Sequence, residues 1–338
     1  MPVTLQDVAD RLGVSIATVS RALADASGVS AETRQRVLEV AAEMGYHPNV
    51  TARRLQKQRT DTLGFVIPTF GPRFSDPFFV ELLAGIGNAT AEHERDLLVS
   101  TRAPGAEELE GYKRLVRERR VDGLLVVRTR QQDPRVAYLM EARFPFVAFG
   151  RTDLDIDFPY VDVDGQAGMA MLTRHLLDRG HRHIGYISAP WELMFSVHRF
   201  AGYREALEER GIELEEAWVV TGGLTESSGY EAGRVLLRRE PRPTAIIACN
   251  DLMAMGVMSA AQEQGLQVGQ DLAVAGFDDI PLARMAHPPF TTLRQPIYRI
   301  GWRICTMLLQ MLDEEPLEEE HVLLQPELIV RQSTAFDV

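Results

Sequence analysis
The chain has 338 residues, 45% of them hydrophobic and 25% charged, with a formal net charge of −12. That length exceeds one ordinary core and implies two or three globular domains; no run of 18 apolar residues offers a transmembrane helix. Cys249 and Cys305 are the only cysteines, too few for a disulfide framework or a structural zinc site, and the opening MPVTLQDVAD lacks the basic flank and apolar stretch of a signal peptide, which points to the cytoplasm.

Charge is spread unevenly. The first 60 residues hold eight Arg or Lys against six acids, so a mildly basic head precedes an acidic body, and only the head suits a polyanion. This head reads as three short helices. Thr4 with Asp7 three residues on makes an [ST]-x-x-[DE] start, and Gly13 supplies the left-handed stop. Ser15 caps the second helix, and Ser30 caps a third that runs to about Met44 with Gly45 behind it. At 100° per residue, Ile16, Ala17, Ser20 and Arg21 share one face of the second helix, and Thr18, Val19, Ala22 and Leu23 share the other. The first face is small apart from Ile16 and Arg21. That is what a helix lying in a DNA major groove needs: close approach, methyl groups for thymine, and one Arg to fork onto guanine. The same pattern also fits a plain helical hairpin with a solvated Arg21. The basic stretch YHPNVTARRLQKQRT follows as a linker. It is too short to hold a helix alone, but it can fold on DNA with Arg53, Arg54 and Lys57 near phosphates and Leu55 as a wedge between minor-groove bases.

From Thr62 onward, apolar runs of strand length alternate with helical segments. The strand candidates are LGFVIP, DLLVST, DGLLVV, FPFVAFG, HIGYIS, WVVTG, TAIIAC and LAVAGF, with amphipathic stretches such as 79–93 and 165–179 between some of them. Such alternation means βαβ units and parallel sheet. So many strands are better housed in two similar α/β lobes than in one sheet.

Together these residues resemble the lactose/galactose repressor (LacI/GalR) family over essentially the whole chain. VTLQDVADRLGVSIATVSRAL, VSAETRQRVLEVAAEMGYHPN and ARRL match that family's DNA-binding head and hinge. DPFFVELLAGI, HRFAGYREAL, AIIACNDLMAMGVM and PPFTTLRQP match its body. The resemblance implies a dimeric, effector-controlled transcriptional repressor: a helix-turn-helix head (1–47), a hinge helix (48–60) and a periplasmic-binding-protein-like core (61–338). It divides that core into an N-lobe of about 61–161 and 293–321 and a C-lobe of about 162–292 and 322–338. The chain then crosses between lobes near 161–164, 291–295 and 320–323. By the same resemblance Thr4, Ser15, Ile16, Ala17, Ser20, Arg21, Asn49, Arg53 and Leu55 meet a pseudo-palindromic operator duplex. Ile16-Ala17 departs from the more polar pair of the lactose repressor itself, so its half-site does not transfer.

In two-lobed α/β folds, ligands sit in the crevice at the carboxyl ends of strands. Arg128, Arg151, Asn250 and Asp278 follow strand candidates, Arg199 opens a helix, and Phe79 lies beside DPFF. These residues supply the planar hydrogen bonds and the apolar cover that a small sugar takes. Where many relatives carry Asp before Arg151, Gly150 leaves room for a larger ligand. FVAFGR and RTRQQDPRV look similar to regulators of glucoside and maltose-type oligosaccharide use. Asp251 reads as a helix cap and Asp279 as a partner of a nearby Arg. No cofactor, catalytic group or metal is expected: Asp278 and Asp279 point apart on a strand end, HRH at 181–183 has no acid or Cys at ligand spacing, and no phosphate loop or nucleophile elbow occurs. The other readings are a sugar-binding transport component, against which the missing signal peptide and the helical head both speak, and a sugar-processing enzyme.

Overall fold
The structure is a computed structural model that describes residues 3–23, 27–46, 59–69 and 76–336. The chain divides into two compact units, Met1–Thr60 and Asp61–Val338. In the first, α1 (Leu5–Leu12), α2 (Ile16–Leu23) and α3 (Ala31–Glu43) follow the expected punctuation. Thr4 and Asp7 form a reciprocal capping box, and Gly13 ends α1 at φ 64, a left-handed turn that costs a residue with a Cβ roughly 1–2 kcal/mol. Ser15 Oγ accepts from Thr18 N at 3.1 Å, and Ser30 Oγ accepts from Thr33 N at 3.2 Å. Val8, Ala9, Val19, Ala22, Val37 and Ala41 form the head's small core. The inward face of α2 is therefore the one expected from its periodicity.

The second unit holds two six-stranded sheets. The first lobe contains β1 (Thr62–Pro68), α4 (Pro77–Glu92), β2 (Asp96–Arg102), α5 (Ala106–Arg117), β3 (Gly123–Val126), α6 (Pro134–Glu141), β4 (Phe146–Phe149) and β5 (Tyr160–Val163). The second contains α7 (Gly165–Asp178), β6 (Ile184–Ser188), α8 (Met194–Glu209), β7 (Val219–Thr221), α9 (Glu226–Leu237), β8 (Ala245–Ala248), α10 (Asp251–Glu263), β9 (Ala273–Asp278), α11 (Pro281–Met285) and β10 (Thr291–Arg294). The chain then returns for α12 (Ile297–Leu312) and β11 (His321–Leu324) before closing with β12 (Glu327–Ile329). The sheet orders are β11-β5-β4-β3-β1-β2 and β12-β10-β9-β8-β6-β7. All pairings are parallel except that of β12 with β10. The central strands β1, β3, β8 and β9 are wholly buried, as strands covered by helices on both faces must be.

The pairings adjust the sequence-based lobe borders. β5 keeps the first sheet to Val163, β10 keeps the second to Arg294, and β11 pairs with β5 as far as Leu324. The crossings therefore fall just after these three strands. The third lies beyond the expected 320–323 because HVLL is itself a first-lobe strand. Among the described residues no helix is long and apolar enough to cross a membrane.

Candidate effector cleft and DNA-contact face
On α2, Ser15, Ile16, Ala17 and Arg21 are exposed and Ser20 is half-buried. Ile16 is 43% exposed, and Leu38 of α3 is 45% exposed. Arg21 Nε donates to Ala17 O at 3.1 Å, which folds its stem along the helix. Thr4 is exposed but its hydroxyl donates to Asp7 Oδ2 at 2.7 Å, so its first duty is the cap. Asn49, Arg53 and Leu55 lie outside the described residues, as does the expected hinge helix except Arg59 and Thr60.

Between the lobes lies a cleft. Its lining includes Arg128, Asn250 and Asp278, expected from their places at strand ends, and Arg199, which stands in the second turn of α8 rather than at the helix start expected for it. Phe79 does not line it. Asp76 caps α4 by accepting from Phe78 N at 3.1 Å, and one residue on, a turn of about 100° separates the two rings. Phe78 faces the cleft and stacks on Phe149 at 6.0 Å, while Phe79, 1% exposed, packs in the core beneath the Arg128 guanidinium. Arg151 stands behind the wall: its Nε donates to Asp162 Oδ2 at 2.8 Å and its Nη2 bonds His198 Nδ1 at 3.2 Å. Both Asp162 and His198 line the cleft, as do Phe195 and Gln295, none of which the sequence reading singled out. Gly150 leaves no vacancy. Its φ is 112, and a Cβ there would sit 2.3 Å from Thr129 Oγ1, which fills the space.

The cleft floor is charged but internally balanced. Arg128 Nη2 donates to Asp76 Oδ2 at 2.8 Å, and Arg199 Nη2 lies 3.9 Å from Asp278 Oδ1. Burial pushes the Asp76 carboxyl up despite Arg128, and it pulls the Arg128 guanidinium down despite Asp76. Asp278 is driven to about 7, mainly by burial, with Arg199 opposing. Gln295 Nε2 donates to Asp278 Oδ1 at 2.6 Å. Arg199 lies over the Phe277 ring at 3.5 Å, and its Nη1 donates to Cys249 O. Arg199 Nε and Gln295 Oε1 are buried with no hydrogen-bond partner among the described residues. They are one donor and one acceptor, each expensive to leave unmatched.

Asn250, not Asp251, caps α10, with its Oδ1 accepting from Met253 N at 3.0 Å. Asp251 lies in the first turn, fully buried, and takes Thr292 Oγ1 and Ile280 N. Asp279 pairs with Arg294 and Arg331, as expected of it. A strap joins the lobes at the cleft's edge. Arg130 and Leu193 form an antiparallel bridge, Gln131 N donates to Glu192 O at 2.9 Å, and Met194 N donates to Thr129 O at 2.9 Å. Beneath it the fully buried Arg135 guanidinium donates to Asp133, Glu108 and the carbonyls of Val127 and Arg128. The one acid–histidine group among the described residues close enough to share an ion, Asp157, Glu320 and His321, is exposed and lies away from the cleft.

Comparison with known proteins agrees with this architecture. The profile of bacterial regulatory proteins of the lacI family matches residues 4–49, and that of the periplasmic binding protein-like domain matches residues 173–334. The chain is 36% identical to the HTH-type transcriptional regulator AglR of Rhizobium meliloti over 99% of its own length and 95% of that protein. Its structure is similar to a transcriptional regulator CelR–cellobiose complex, with a TM-score of 0.76, 34% identity and coverage of 98% and 99% of the two chains. It is also similar to the lac repressor dimer bound to operator and the anti-inducer ONPF, with a TM-score of 0.86, 28% identity and 99% of each chain covered.

Proposed function
Because the chain belongs to the LacI family of bacterial regulatory proteins, whose members here are transcriptional regulators rather than enzymes, we propose that it is a cytoplasmic, dimeric repressor of carbohydrate-use genes. Its effector is an uncharged saccharide, and a disaccharide such as cellobiose is the first candidate. The observation that carries this reading is a cleft of polar edges and apolar faces in which two of the three guanidinium groups are closely paired: Arg128 with Asp76 and Arg151 with Asp162. Arg199 lies 3.9 Å from Asp278, whose carboxyl burial holds at about 7, so an anionic ligand would find at most that one cation. A polyol would find hydrogen-bonding edges, a donor at Arg199 Nε, an acceptor at Gln295 Oε1, and the apolar faces of Phe78, Phe149 and Phe195. The CelR–cellobiose complex supports the choice of sugar.

On the head, α2 enters the major groove. Ile16 and Ala17 touch base methyls, Arg21 forks onto a guanine, and Ser20, Ser15 and Thr4 lie toward the backbone. Two copies related by a two-fold axis read a pseudo-palindrome. Effector closure changes the angle between lobes and with it the separation of the two heads, so effector and operator affinities are reciprocally coupled.

A panel of cellobiose, maltose, a sugar phosphate and a purine base in a thermal-shift assay tests the reading, with mobility shifts on operator fragments alongside. Saturation at 100 times Kd should add about 2.7 kcal/mol of stability. Stabilisation by the phosphate or the purine and by neither disaccharide would overturn the saccharide assignment. The alternative of a sugar-processing enzyme predicts turnover of the bound disaccharide, which chromatography of the incubated sugar would detect.

A further inference from the structure
Arg151, Asp162 and His198 come from three elements: the turn after β4, strand β5, and helix α8. The first two belong to the first lobe and the third to the second. Arg151 therefore ties the lobes together through the cleft wall, at 2.8 Å to Asp162 Oδ2 and 3.2 Å to His198 Nδ1. A guanidinium only donates. His198 Nδ1 must therefore accept, and the ring proton of the neutral imidazole sits on Nε2. Among the described residues no group takes up Nε2, and the ring lines the cleft.

We infer that Arg151 is a positioning residue: by bonding His198 Nδ1 across the lobes, it fixes the Nε2–H tautomer and turns His198 into a donor to a hydroxyl oxygen of the effector. This rests on the saccharide reading of the cleft. Asp162 orients the guanidinium from behind. The contact exists only with the lobes together, so reading this hydroxyl and closing the cleft are one event.

The surroundings keep the imidazole neutral. Burial pulls His198 below its ordinary value and the Arg151 guanidinium adds to this. Asp162 and the α7 cap Asp164 oppose it, and Arg199 on the same helix lowers it further. Protonation would put a second cation against Arg151 and leave Nδ1 with nothing to accept with. The Arg151 bond is then lost, and effector affinity falls as the pH drops through this lowered midpoint.

Two measurements test the assignment. The first needs no ligand. In full-length protein labelled with 15N-histidine, the imidazole that disappears in His198→Gln is His198. It should be protonated at Nε2 and bare at Nδ1 at pH 7.5. In Arg151→Met it should become a tautomer mixture with a titration midpoint moved upward. An Nδ1–H ring, or a ring unaffected by Arg151→Met, would overturn the inference. The second is calorimetric titration with cellobiose at pH 7.5 and 5.5. His198→Phe should bind about 3- to 10-fold more weakly, the worth of one neutral hydrogen bond. His198→Gln, whose amide N–H stands near Nε2, should recover most of that loss and shed the His198 part of the acid sensitivity. Asp278 titrates in the same range, so the difference between wild type and His198→Gln is the quantity read. If wild type binds no disaccharide, the saccharide reading fails while the imidazole spectra still decide the tautomer. If wild type binds and His198→Phe matches it, the inference fails and the saccharide reading stands.

Discussion
Replacing Asp278 with Asn should alter how stability depends on pH more than it alters stability at any one pH. Asp278 is 7% exposed at the end of β9, and burial holds its carboxyl at about 7 against an ordinary 3.8. Between those values the folded chain binds a proton that the unfolded chain has released. Unfolding free energy must therefore fall as pH rises through this window, and flatten above about 7. At 1.36 kcal/mol per pH unit the whole window corresponds to about 4 kcal/mol, of which about 2 kcal/mol falls between pH 5.5 and 7. Asn keeps an oxygen for Gln295 Nε2 but has no charge to bury. Removing the charge also relieves Asp251, whose carboxyl is raised first by its own burial and then by Asp278. In urea titrations at pH 5.5 to 8, the two proteins should be close at the acid end. Asp278→Asn should become the more stable by about 2 kcal/mol at the alkaline end. A stability difference that stays constant across this range would refute the claim that Asp278 is protonated in the fold near neutrality.

Gly150→Ala places a Cβ 2.3 Å from Thr129 Oγ1 at φ 112 and should cost about 1–3 kcal/mol in urea titration; adding Thr129→Ala should return part of that loss. Thr4→Ala removes the capping box of α1 and should cost the head about 1 kcal/mol, read as faster amide exchange in residues 5–8. Gln131→Pro deletes the N–H that donates to Glu192 O; it should weaken cellobiose binding several-fold and change the emission of Trp191, whose carbonyl accepts from the Gln131 side chain. Added salt should weaken operator binding steeply and leave disaccharide binding nearly unchanged, each measured by titration from 50 to 200 mM.

What the sequence disclosed, and what it hid, follows from the physics of each element. The head was legible because its signals are local: a Ser or Thr at each start, Gly13 and Gly45 at two stops, and a period that put Val19 and Ala22 inside. The strands β1, β3, β4, β6, β8 and β9 were legible because burial on both faces leaves few polar interruptions, whereas the edge strands β2 and β7 are part-exposed and were legible only as short apolar runs. YVDV and TTLR were not read as strands, since they carry residues that bond sideways: Asp162 to Arg151, Thr292 to Asp251, and Thr291 to Ser333 and Arg331; HVLL and ELI are short, part-exposed edge strands. Only the family resemblance placed lobe crossings near them. In the cleft, the strand-end rule found Arg128, Asn250 and Asp278. It could not choose between Phe78 and Phe79, because adjacent residues of a helix differ only by rotation and Asp76 sets the phase. His198 lies inside α8, where no strand-end rule reaches, and Gln295 directly follows β10, so it was missed only because TTLR was not read as a strand.

The same side chain does opposite work at the two ends of the chain, and its partners decide which. In the core, Arg128, Arg151, Arg294 and Arg331 each face a carboxylate. A guanidinium so paired has little net charge left to offer but keeps its planar N–H geometry, which suits the edge of a hydroxyl-rich ligand. On α2, Arg21 has no carboxylate partner among the described residues, and only Nε is held, by a carbonyl. Among the described residues its remaining N–H groups meet no carboxylate, which is the pattern a guanine edge or a phosphate calls for. Charges farther apart than roughly 8–10 Å are screened at physiological salt, so the pairing of each cation weighs more than the sum over the chain. Net charge therefore says little about this chain's partners, and the pairing state of each arginine says a good deal more.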